Sequence, residues 1–259
     1  MKQMAHGGRG FTLLELLVAT AIFMVICAAM FGLLQVSQQK YAIETQMSGS
    51  FQEARLGIDQ IVRDVNISGY PSAGLLSNTS NSTSYALAPF AWDPGYLSNT
   101  DCQIGATCNP TPGGYDLIVE TDFGSGVSWI RYQLVGTTLL RGVVPKTAGS
   151  DPVTATSATG VMTPLVVNVV NNASGALLAQ ITAEYPSMFP GGAQPLFVYT
   201  CSTPSGPQLC TSSGAYNAPR YISDVDITLI VMTPQPDMQT QSLKLLELSG
   251  RGHRSNPGN

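Results

Sequence analysis

Charge is scarce in this chain: of its 259 residues only 11% are Asp, Glu, Lys or Arg, and 12 positive side chains face 16 negative ones. A formal net charge of -4 leaves no basic footprint for a phosphate backbone, which argues against nucleic acid as a direct partner of the isolated chain. Histidine is scarcer still, with only His6 and His253. A Ser/His or Cys/His nucleophile system would have to rest on His253 in the C-terminal tail. No phosphate-loop, zinc-protease, nucleophile-elbow or dinucleotide glycine motif is present, so the sequence offers no enzyme site and calls for no cofactor. No repeat of fixed period is visible.

Proline is absent until Pro71, which leaves helix possible from Phe11 to about Ser68, roughly 85–90 Å at 1.5 Å per residue. Gly32, Gly49 and Gly57 are the weak points in that span, each costing ~1 kcal/mol relative to Ala. Its first part is apolar to about Val36, and Glu15 is the only ionisable carboxylate inside it. From Leu16 to Leu34 there is no charge, enough to cross a bilayer of ~30 Å. Lys2 and Arg9 on the N-terminal side place that end in the cytoplasm and send the remainder out. A carboxylate in hydrocarbon costs roughly 2.5–3.5 kcal/mol and needs a partner, so Glu15 is a functional residue by default. The short basic, glycine-rich stretch ends at Gly10, before the apolar block, whereas a secretory signal is cut after it.

Beyond Val36 the apolar residues become periodic. Met47, Phe51, Ala54, Ile58, Ile61 and Val65 recur at steps of four and three, one stripe of an amphipathic helix that would lie under a globular domain. Arg55, Asp59 and Arg63 form exposed pairs four residues apart.

The five cysteines sort by position. Cys27 lies in the apolar segment, where a thiol acts as a small hydrophobe. The others form two close pairs in Pro/Gly/Thr-rich sequence, Cys102 with Cys108 and Cys201 with Cys210. Neither pair has the C-x-x-C spacing or the added histidines of a metal knuckle, so two local disulfides, and an oxidising compartment, are the preferred reading.

From Pro71 to Gly114 the chain is Ser-, Asn-, Thr-, Pro- and Gly-rich, an irregular excursion held by Cys102 and Cys108. Strand-like runs follow at Asp116 to Glu120, Val127 to Val135, Thr138 to Val144, Leu165 to Val170, Leu196 to Thr200, Ile222 to Thr233 and Ser242 to Leu248, with a hairpin at Gly136-Thr137. A long N-terminal helix followed by an antiparallel sheet is an α+β arrangement. Asp116, Glu120 and Asp122 could line a calcium site, but solvent-facing carboxylates beside a Gly-rich turn are the plainer reading, so no metal site is assigned. Asp224 and Asp226 read as solvated, and the residues after Leu248 as a basic, flexible end.

"GFTLLELLVA" resembles the class III signal of type IV pilins and type II secretion pseudopilins. "EARLGIDQIVRDVNISGYP" resembles the stretch after the anchor in PilW-type minor pilins and the related J-type minor pseudopilins. The later runs "GYDLIVETDFGSGVSWIRYQLVGTTLLRG" and "PLFVYTC…YISDVDITLIVMTP" are similar in order and spacing to PilW-type chains. The resemblance implies a pilin-like fold with a leader at 1–10, a transmembrane and fibre-core helix at 11–36, its amphipathic continuation at 37–68 and a β-rich domain at 69–259. It implies that a prepilin peptidase cuts between Gly10 and Phe11 and methylates the amino group of Phe11. That new ammonium would pair with Glu15 of a neighbouring subunit when helices stack. The implied partners are the peptidase, inner-membrane lipid, the pilus assembly platform and other minor and major pilins. The chain would span the inner membrane once and later sit in an extracellular pilus. The expected role is structural, in initiation or assembly of a type IV pilus from a priming or tip complex. A minor pseudopilin of a type II secretion system is the close alternative. A tip-located binding module is another, for which aromatics around Tyr85, Phe90, Trp92, Tyr96 and Tyr216 leave room.

Overall fold

A computed structural model describes residues 12–69, 89–91, 102–147, 150–210, 214–237 and 242–255. One helix, α1, runs unbroken over Leu13–Asn66, through Gly32, Gly49 and Gly57. By length and composition it is apolar enough to cross a membrane. The chain divides into two compact units, Met1–Thr45 and Gln46–Asn259.

In the first unit the described chain is helix, and its large side chains, such as Leu13, Phe23, Met30 and Leu33, are exposed. The one hydroxyl between Leu16 and Leu34 is satisfied internally: Thr20 Oγ1 donates to the carbonyls of Leu16 and Leu17, both at 3.0 Å. Such back-bonding is what hydrocarbon surroundings require of a polar side chain.

The second unit is built on the rest of α1 and two four-stranded antiparallel sheets. Sheet A has the order β1-β2-β3-β4, with β1 Asp116–Asp122, β2 Val127–Val135, β3 Thr138–Pro145 and β4 Thr163–Val166. Sheet B has the order β6-β5-β7-β8, with β5 Phe197–Thr203, β6 Gly206–Leu209, β7 Ile222–Met232 and β8 Leu245–His253. The α+β expectation holds, with two sheets where the sequence reading had one. Two helices that it missed are α2 Pro152–Thr156, capped by Asp151, and α3 Gly175–Glu184. The basic end read as flexible is, as far as His253, the second half of β8, paired with β7 up to Asp224↔His253.

One core joins α1 to both sheets, and strand alternation explains it. Leu117 and Val119 of β1, Ile130 and Tyr132 of β2, and Val225, Ile227, Leu229 and Val231 of β7 belong to it together with Ala54, Ile58, Ile61 and Val65 of α1. The alternate residue Ile230 points the other way, into a smaller cluster with Ile181 of α3 and Phe189. The helical stripe begins to bury at Ala54; Phe51, expected in it, remains 38% exposed.

Glycines bring α1 close to β8. A Cβ on Gly250 would collide with Ile58, and one on Gly252 would lie 2.6 Å from Val65 Cγ1. The sheets are tied by the chain after β4. Val169 N–H donates to Thr137 O in the turn between β2 and β3, while Val169 bridges Val231 of β7. Asn168 takes a positive φ of 59° at this corner. Buried Asn171 then serves β7 as a strand would, donating to Thr228 O and accepting from Ile230 N–H, both at 2.8 Å.

Candidate functional site

The start of α1 carries Thr12-Leu13-Leu14-Glu15, and the two polar residues satisfy each other. Thr12 N–H and Oγ1 donate to Glu15 Oε2 at 2.9 and 3.0 Å, and Glu15 N–H donates back to Thr12 Oγ1 at 3.3 Å. This is a capping box, in which the third helical residue reaches back to the cap. A carboxylate there also meets the positive end of the helix dipole. Glu15 therefore has a partner within its own chain, one the sequence reading missed although Thr-x-x-Glu before an apolar run is its signature. Gly10 and Phe11, the expected cleavage and methylation positions, lie outside the described residues.

In the second unit the polar chemistry is mostly structural. On the core side, Asp64 of α1 accepts from Tyr132 Oη at 2.5 Å and from Arg141 Nη2 at 2.8 Å. Burial first, then the neighbouring Asp64 carboxylate, pushes the Tyr132 hydroxyl well above its ordinary pKa.

On the opposite face of sheet A, Arg131 makes a two-pronged pair with Asp116, Nε to Oδ1 at 3.0 Å and Nη2 to Oδ2 at 2.6 Å. Its remaining nitrogen, Nη1, donates to Val153 O at 3.2 Å and Ser157 Oγ at 2.6 Å, which fastens α2 to the sheet. Beside it Lys146 pairs with Glu120, both side chains fully buried. Asp116 and Glu120 are thus not the solvent-facing carboxylates expected; Arg131 and Lys146 are paired with them. Asp122 alone fits the Gly-rich turn expected, accepting from Gly124 and Gly126 N–H.

Both cysteine pairs are disulfides. Cys102–Cys108 has a Cα–Cα distance of 4.9 Å, and Cys201–Cys210 one of 5.2 Å. The first closes a loop held to residue 217, Asn217 Nδ2 donating to Ile104 O at 3.0 Å. The second staples the β5–β6 hairpin. That hairpin, the turn at Pro219–Tyr221 and the end of β8 enclose a half-open groove of about 530 Å³ that reaches Asp224, His253 and Arg254. Asp224 is not the solvated carboxylate expected. Partial burial would raise its pKa, but Arg251, His253 and Ser223 outweigh this and hold it below its ordinary value. Asp226, with 41% of its side chain exposed, does face solvent. Burial lowers Arg254 to about 10.

Of the aromatics expected in loops, Phe90 is fully buried and bridges Val119 at the edge of β1. Tyr216 is 39% exposed and packs edge-on against Tyr221, ring centres 5.1 Å apart. Tyr85, Trp92 and Tyr96 lie outside the described residues.

The family model described as "Prokaryotic N-terminal methylation motif" matches residues 7–31. This supports a prepilin-type chain, and the apolar helix, two antiparallel sheets and two disulfides fit a pilin-like α+β fold; the family of the motif is structural. The motif implies processing by prepilin peptidase and association with other pilins, and the apolar helix fits a single-pass inner-membrane anchor. Neither the curated proteins nor the solved structures gave a match to the chain.

Proposed function

We propose that this protein is a minor pilin of PilW type that takes part in priming or capping a type IV pilus after prepilin peptidase cuts between Gly10 and Phe11. The observation that carries the reading is Glu15, one carboxylate at the start of an otherwise uncharged apolar helix, inside the methylation motif. Cleavage places an ammonium at Phe11, four residues ahead of it. In lipid the capping box tides the carboxylate over; in the fibre the ammonium of an adjoining subunit neutralises it. Two charges that are costly apart become a pair, and removing one member leaves the other uncompensated by roughly 3–5 kcal/mol. The minor-pilin assignment draws on the PilW-like stretch after the anchor, whose Asp64 joins α1 to sheet A.

Intact mass and N-terminal sequencing of the chain from membranes and from sheared, purified fibres test this. A mature start at methylated Phe11 in the fibre fraction is expected. An uncut chain, or a cut chain absent from fibres, would overturn it. Deletion should remove surface fibres; blocked protein export with fibres intact would assign the chain to a secretion pseudopilus instead.

A further inference from the structure

Among the described residues, three recesses lie against the β5–β6 hairpin, and they differ in charge. Two of them, about 120 and 240 Å³, are walled without Asp, Glu, Lys, Arg or His. The third is the half-open groove of about 530 Å³ that the hairpin forms with the turn at Pro219–Tyr221 and the end of β8. Its walls carry Arg220, His253, Arg254 and one acid, Asp224. That acid does not balance the groove. Asp224 Oδ1 accepts from Arg251 Nε at 3.1 Å and meets His253 Nδ1 at 2.9 Å, while Oδ2 accepts from Ser223 Oγ at 2.7 Å. Arg251 is not part of the groove wall, so the carboxylate is spent on a cation outside it.

The two arginines stand at different depths. Arg254 is 3% exposed, and its Nη1 donates to Arg220 O at 2.9 Å and to Ile222 O at 3.2 Å. These carbonyls fix the guanidinium without neutralising it. Burial lowers its pKa to about 10, so desolvation outweighs the favourable contacts it makes in the fold. Arg220 is exposed, its guanidinium carbon 5.4 Å from the centre of the Tyr221 ring. A guanidinium laid over an aromatic face keeps its edge nitrogens for an anion, in the forked geometry that a carboxylate matches.

The rest of the wall is largely apolar, with Pro204, Pro207, Tyr221 and Ile222. A ligand that suits both halves carries a carboxylate beside an aliphatic or aromatic group. A phosphate backbone would need a basic stripe longer than one groove, on a chain whose net charge is not -4. A bare inorganic anion would meet the guanidiniums and leave the apolar wall in water. An incoming main chain has no edge to join here, because β6 is four residues long and contains Pro207, so recognition falls to side chains and chain ends.

We propose that this groove receives an acidic peptide segment of a partner protein, its carboxylate held by Arg220 and Arg254 and the neighbouring apolar side chain laid against Pro204, Pro207 and Ile222. The site is separate from the N-terminal motif, so the proposal stands or falls apart from the fibre reading. Fluorescence anisotropy with the full-length chain in a non-ionic detergent tests it. The probe is a labelled short peptide of alternating Leu and Glu, compared with the same peptide carrying Gln for Glu and an amidated C-terminus. The acidic peptide is expected to bind, and the neutral one to bind about tenfold more weakly or less. Arg220→Glu, an exposed change, should keep wild-type melting and lower the affinity about tenfold or more. Arg55→Glu, the same charge change at an exposed position of α1, should bind as the wild type does. Equal binding of the two peptides, or Arg220→Glu and Arg55→Glu behaving alike, would overturn the proposal. Inorganic phosphate competing as well as unlabelled peptide would reduce the groove to a plain anion site, and a gain in affinity on deleting residues 256–259 would show the chain's own end seated there; either result would overturn it too.

Discussion

Asp64 and Arg141 lie 77 residues apart in the chain and 2.8 Å apart in the fold. Tyr132 completes the group, and the three join α1, β2 and β3 at one point. Asp64→Ala would leave the buried Tyr132 hydroxyl and the Arg141 guanidinium without their acceptor. A loss of about 3 kcal/mol is expected, with Asp64→Asn losing less because an amide oxygen still accepts. Denaturant unfolding of the two variants in detergent, with wild-type m-values, checks this; equal stability of Asp64→Ala and wild type would refute it.

Thr12 and Glu15 can be separated by their two duties. Glu15→Gln keeps the capping box, since glutamine also serves at that position, but removes the charge. Thr12→Ala removes the cap, at about 1 kcal/mol, and keeps the charge. Both should be cut by the peptidase. Only Glu15→Gln should be depleted from purified fibres, by roughly tenfold or more. Equal depletion of the two would mean that helix capping, and not charge pairing, governs incorporation.

Gly252→Val would drive a side chain into Val65, whose Cγ1 lies 2.6 Å from the added Cβ. Overpacking of this kind costs about 1–3 kcal/mol. Gly214→Ala, with nothing within 4 Å of its Cβ, is the control and should stay within about 0.5 kcal/mol of wild type. Thermal melts of both variants read the difference.

Alkaline pH should destabilise the second unit. Burial raises the pKa of Tyr132 and Tyr199 above the ordinary tyrosine value. Above about pH 10 the unfolded chain releases these protons while the fold retains them. Their contribution is therefore complete below pH 10 and declines as pH rises further, by up to about 1.4 kcal/mol per unit for each group. Melting temperatures from pH 8 to 11 should show the fall, and Tyr132→Phe should make it shallower. A flat profile would refute it.

Much of this was legible in the sequence where a pattern had one physical meaning. The 3.6-residue stripe from Ala54 to Val65 and the alternation in Ile222–Met232 each fixed an element and its buried face. The cysteine pairs were legible because each spans a short loop. Legibility failed where tertiary contact overrode local pattern. Asp116 and Glu120 look like surface carboxylates until β2 brings Arg131 opposite Ile118, a pairing that no local window contains. Gly250 and Gly252 read as tail flexibility, yet they are the space that α1 needs. Two signals were present and unused: Asp151-Pro152, a cap and first residue for α2, and Thr12-x-x-Glu15.

The notched contact between α1 and β8 also bears on how the subunit carries force. Ile58 sits at Gly250 and Val65 at Gly252, with Asn66 holding His253, so helix and strand run in the same direction. A pull along α1 loads this contact in shear: side chains must leave their glycine notches together, and cannot be peeled away one at a time. The grip of the domain on its helix is then set by two missing methyl groups, and filling either would loosen the handle by which the subunit is drawn.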